Sequence, residues 1–146
     1  MGNQKLISSE DKEFFEQELQ AMLAKEERQQ LELPAIRAGG EAALRRLFDV
    51  AHGHSGQCKV VARFLLGCYN GLRFPFDLTD LRCIDSALFD DCMAVLKMDF
   101  QPAQEVHCYF PMGGSKFEAL AKDWRITDFS RMQLELHQYR EKYGTI

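Results

Sequence analysis

The chain contains no Cys-x-x-Cys pair, and its cysteines, Cys58, Cys68, Cys83, Cys92 and Cys108, are odd in number. Both features argue against a disulfide framework and a zinc ribbon, so the thiols are expected to be reduced and mostly buried. Apolar runs are short, as in Phe64-Leu65-Leu66, whereas a membrane span needs roughly 20 apolar residues. The opening "MGNQKLISSEDKEFF" lacks a signal peptide's apolar segment, and Leu6 breaks the myristoylation pattern that Gly2 begins. The expectation is a cytoplasmic protein with no membrane or lipid anchor. Repeats, low-complexity tracts and persuasive period-2 strands are also missing; "EVHCYF" comes nearest to a strand.

What is present fits one globular domain: 146 residues, 46% hydrophobic and 27% charged. The net charge of −4 is unevenly placed. Residues 1–36 hold 4 basic and 8 acidic groups, residues 37–82 hold 7 and 4, and residues 83–146 hold 7 and 10. A basic middle lies between acidic ends. This asymmetry can orient a partner, but a pI near 5.6 is far from the value above about 9 expected of a general nucleic-acid binder.

Apolar spacing predicts an all-α, single-domain bundle of about six or seven helices around a central apolar helix at residues 57–70. Residues 1–36 read as a peripheral N-terminal helix. It is capped by Ser8 or Ser9, carries the short stripe Phe15, Leu19, Met22 and Leu23, and ends at Pro34 and a Gly39-Gly40 hinge. Residues 41–124 read as the core. Leu44, Leu47, Phe48 and Ala51 mark one helix, and Val61, Phe64, Leu65 and Cys68 mark the central one, closed by a left-handed Asn70-Gly71 cap. Pro75 biases Phe74 to extended backbone, so Phe74 and Phe76 can turn inward. Asp77 or Thr79 caps a short turn, and Asp85 caps a helix expected to bury Leu88, Phe89, Cys92 and Leu96. Ser115-x-x-Glu118 reads as a capping box. A last helix occupies 127–146, where Phe129, Met132, Leu136, Tyr139 and Tyr143 form an a/d seam that either docks on its own domain or mediates association.

Chemical motifs are weak. His52, His54 and Cys58 share a turn with ligand types that suit zinc, but no spacing supplies a fourth ligand. His107 and Cys108 are adjacent, and neighbouring helical side chains leave the axis about 100° apart, so no dyad is expected. Asp77, Asp80 and Asp85 offer an acid/base or oxygen-ligand cluster without any EF-hand pattern, and Asp90 and Asp91 fall on a predicted solvated side. "GGSK", residues 113–116, lacks the remainder of a phosphate loop and reads as a flexible connection. The helices at 41–52 and 57–70 have helix-turn-helix spacing, yet the second is too apolar to read bases. No catalytic residue, cofactor or metal is therefore expected.

"CKVVARFLLGCYNGLRFPFDLTDLRCID", with "LFDDCMAVLKMDF", "EVHCYF" and "GGSKFEALAKDW", resembles an uncharacterised family of small proteins carried on bacterial plasmids and integrative elements. In that family serine is usual at the position of Cys58, which weighs against a metal there. The resemblance implies a mobile-element accessory protein that counters or modulates a host process, with inhibition of host defence, such as anti-CRISPR action, as one such role. A non-catalytic protein-binding role is the leading expectation, with homodimerisation through the last helix beside it. The alternatives are a nucleic-acid-associated regulator and a small hydrolase or transferase using Asp77, Asp80 and Asp85. The expected partner-binding residues are Arg37, Arg45, Arg46, Arg63, Arg73, Tyr139 and Tyr143.

Overall fold

The computed structural model describes residues 6–144, so Gly2 lies outside the described residues. Within them the chain is all-α. The α-helices are α1 (Ser9–Val50), α2 (Gly56–Tyr69), α3 (Ser86–Phe100), α4 (Gly113–Asp123) and α5 (Ser130–Tyr143), with 3₁₀ helices at Leu78–Cys83 and Val106–Tyr109. Within the "EVHCYF" stretch, Val106–Tyr109 is thus helical rather than a strand. Two units divide between Ile36 and Arg37.

In the first unit, Ser8 caps α1 by accepting the Asp11 amide on its hydroxyl at 3.1 Å, while its own amide donates to the Asp11 carboxylate at 3.3 Å. The acids Glu10 and Asp11 then sit where the helix dipole favours them. The helix does not end at Pro34 as its sequence predicts. It continues through Gly39 and Gly40 to Val50, because proline removes only its own N–H from the ladder and neither glycine takes positive φ.

The second unit holds the core. Gly40, far from being a hinge, is buried where a Cβ would overlap the Met98 side chain, so the glycine permits close approach of α1 and α3. Beyond it, Ala43, Leu44, Leu47 and Ala51 of α1 meet Val61, Phe64, Leu65 and Leu66 of α2, the most buried helix, as its composition predicts. The Phe117 ring of α4 stacks on Phe48 at 5.5 Å and lies 5.3 Å from the Tyr69 ring. Phe74 is buried, and Phe76 meets Phe64 edge-on at 5.6 Å. Trp124 donates its indole N–H to the Ala51 carbonyl at 2.7 Å, satisfying one of the acceptors left over at the end of α1.

Four local expectations fail here, the last three because a distant residue intervenes. Asn70 closes α2 with extended backbone (φ −156°) and uses its side chain to accept the Arg73 amide. The buried face of α3 is Cys92, Val95 and Met98, while Phe89 and Leu96 are exposed, because Met98 fills the space beside Gly40. Asp91 is drawn to the half-buried side by Arg46. The helix at "GGSK" begins at Gly113 after a left-handed Met112 (φ 53°), and Glu118 turns to Arg73 rather than back to Ser115.

Candidate interaction surface

Every residue of the first unit from Leu6 to Glu32 is exposed. Phe15, Leu19, Met22 and Leu23 recur at i, i+4, i+7 and i+8 and make an open apolar stripe, with Phe15 and Met22 68% and 69% exposed. Glu26, Glu27 and Gln30 extend that face between Leu23 and Leu31. The stripe lies within residues 1–36, the segment with the largest net acidic excess.

A second uncovered face lies on α5. No residue of this helix is buried, and Met132, Leu134, Leu136, Tyr139 and Tyr143 are all exposed. Of the seam, Phe129 ahead of the helix is half-buried beside Phe74, whereas Met132, Leu136, Tyr139 and Tyr143 do not dock on their own domain. Tyr139 and Tyr143 lie against each other, with ring centres 4.8 Å apart. At its start the helix is held to the loop after α2: the Phe129 amide donates to the Arg73 carbonyl at 2.9 Å, and Gln133 Nε2 donates to the Leu72 carbonyl at 3.2 Å.

The five arginines expected to meet a partner all have partners within the protein. Arg37 donates to the Gln101 carbonyl. Arg45 bridges Glu41 and the Tyr109 carbonyl. Arg46 grips Asp91 through two nitrogens, at 2.8 and 3.1 Å. Arg63 lies 3.8 Å from Asp80. Arg73 joins three elements, pairing with Glu118 of α4 and with Asp128 ahead of α5, while Tyr69 donates its hydroxyl to Glu118 at 2.9 Å. The Arg73 guanidinium holds Glu118 below its ordinary carboxylate range. With help from the Ser130 amide, it holds Asp128 further below. This cluster escapes sequence reading because its members stand 45 and 55 residues apart with no spacing rule to relate them.

The three aspartates have separate duties. Asp77 caps the first 3₁₀ helix through the Thr79 amide and hydroxyl, which lower its carboxyl's proton affinity. Asp80 faces Arg63, and Asp85 caps α3 by accepting the Leu88 amide at 2.9 Å. Asp77 and Asp80 border a depression of about 240 Å³ together with Arg63, Phe74 and Phe129, and Asp85 is not among its walls.

In the His52–Cys58 turn, His52 Nδ1 donates to the Phe48 carbonyl and Cys58 turns to the Ser55 hydroxyl, 3.0 Å away. Among the described residues no group of three or more His, Cys, Asp or Glu is placed to hold a metal ion. "GGSK" is not a flexible link: Gly113 is buried where a Cβ would overlap the His107 carbonyl. The predicted separation of His107 and Cys108 also fails. Their bonds leave the backbone in different directions, but the imidazole is long enough to bring Nε2 to 3.6 Å from the Cys108 sulfur.

No helix among the described residues is long and apolar enough to cross a membrane. No curated protein and no solved structure matches the chain. A family of unknown function, DUF7673, matches residues 41–125, which contain the core helices, the Arg46–Asp91 pair and both ends of the Arg73–Glu118 pair. The chain belongs to the DUF7673 family.

Proposed function

We propose that the protein is a non-catalytic, cytoplasmic accessory factor of mobile genetic elements that acts by binding a protein, with inhibition of a host defence system such as CRISPR as the specific role. The observation that carries the binding role is the acidic N-terminal part of α1, whose apolar stripe is uncovered from Phe15 to Leu23. Helices in water draw most of their stability from a packed apolar face, and an exposed stripe of this kind is the usual signature of a docking element. Its excess of acids selects a partner with an apolar groove and a basic rim. The mobile-element setting rests on the resemblance of residues 42–124 to plasmid-borne proteins.

Nucleic acid is the less favoured ligand. Arg37, Arg45, Arg46, Arg63 and Arg73 are already engaged by carbonyls and carboxylates, and displacing those partners would offset phosphate contacts. The test is affinity capture from host cells with the wild-type chain, Leu19→Asp/Leu23→Asp and Arg45→Ala/Arg46→Ala side by side. The reading requires one polypeptide, held at fixed stoichiometry by the wild type and the arginine variant and lost with the stripe variant. Retention by the stripe variant, or capture of nucleic acid that the arginine variant loses, contradicts it.

A further inference from the structure

The cysteines differ sharply in setting. Burial pushes the Cys68 and Cys92 thiols up to about 12, which keeps them protonated and inert. Cys58 is half-buried beneath Gly53 and paired with Ser55. Cys83 and Cys108 are exposed, and of these two Cys108 has an imidazole nitrogen 3.6 Å from its sulfur.

His107 is fixed in that position. Its ring stands edge-on to Tyr69, with centres 5.1 Å apart at 84°, and its carbonyl accepts the Phe110 amide while packing against Gly113. Its Nδ1 is buried without a hydrogen-bond partner. A proton there would be a buried donor with no acceptor, so the neutral ring is better served by carrying its proton on Nε2, the nitrogen beside the sulfur. An N–H beside the sulfur can hydrogen-bond it, and the thiolate is the form that attacks disulfides and soft electrophiles.

We propose that Cys108, assisted by His107, is a thiol-modification site that takes up small disulfides of the glutathione class. The Cys108 proton leaves to water and the thiolate attacks one sulfur of glutathione disulfide. A new S–S bond forms to the protein, and one glutathione leaves as its thiolate. The oxidant is the disulfide itself, and reduced glutathione reverses the step.

The test treats the native full chain with glutathione disulfide and follows mass gain on each cysteine peptide over time. Cys108 is expected to react about tenfold faster than Cys83, the other exposed thiol. His107→Gln is expected to reduce the Cys108 rate to that of Cys83 while leaving Cys83 unchanged. Unfolding the wild type in urea is expected to erase the difference, a readout that does not depend on any variant folding. Equal native rates for the two cysteines, a ratio that survives urea, or an unchanged Cys108 rate in a folded His107→Gln variant overturns the proposal.

Discussion

Arg73 is the residue through which α2, α4 and the start of α5 are joined. Its guanidinium, Glu118 and Asp128 remain 26% to 38% exposed, so the cluster is worth less than a buried pair, and Arg73→Met is expected to cost about 1–2 kcal/mol at pH 7. Both carboxyl groups bind protons less readily in the folded chain than in the unfolded one. Their contribution is therefore complete above the ordinary carboxylate range near pH 4, and is lost as pH falls through the lowered folded values. Urea unfolding of Arg73→Met should accordingly show a shallower loss of stability below about pH 4 than the wild type. Parallel acid profiles would remove the cluster from the account. Phe117, among Phe48, Tyr69 and Phe110, is the largest fully buried side chain among the described residues. Phe117→Ala is expected to cost about 3–5 kcal/mol, read from the same unfolding curves. Asp77 and Asp85 were legible as caps because a cap is a contact within three residues. The Glu118 partner was not, because a capping-box spacing says nothing about an arginine 45 residues earlier.

At the scale of elements, α1 and α5 separate what sequence patterns can and cannot convey. Most of the interior of α2 followed from periodicity, since Val61, Phe64 and Leu65 are buried as their spacing predicts, although Ala62 is buried too and Cys68 only half-buried. The continuity of α1 did not, because the reason for Gly40 is Met98, 58 residues away. Two adjacent glycines thus make opposite predictions. Gly39 has open space around its Cβ position, so Gly39→Ala should stabilise the helix by roughly 0.5–1 kcal/mol. Gly40→Ala should destabilise by about 1–3 kcal/mol through overlap with Met98. Thermal unfolding of the pair decides this, and equal shifts would show that α1 is not packed as described. For α5 the seam was legible but its role was not, since an a/d pattern marks an apolar face without saying what covers it. Leu136 is 48% exposed, so Leu136→Asp should leave the unfolding midpoint within about 0.5 kcal/mol of wild type. Sedimentation at several concentrations then shows whether α5 pairs copies: a wild-type dimer that Leu136→Asp splits would assign it that task.

For the whole molecule, charge placement and apolar exposure point the same way. The acidic excess of residues 1–36 coincides with the uncovered stripe, while the basic groups of residues 37–82 are largely spent on internal partners. A complex formed by the stripe should weaken as salt rises, because its basic-rimmed partner is recognised partly through exposed charge. The most direct test is backbone hydrogen exchange on the free chain and on the complex captured from host cells. The account predicts rapid exchange between Phe14 and Leu31 in the free chain and strong protection of that segment, with little change elsewhere, in the complex. Unchanged exchange from Phe14 to Leu31, with protection appearing instead around Arg45, Arg46 or α5, would contradict it.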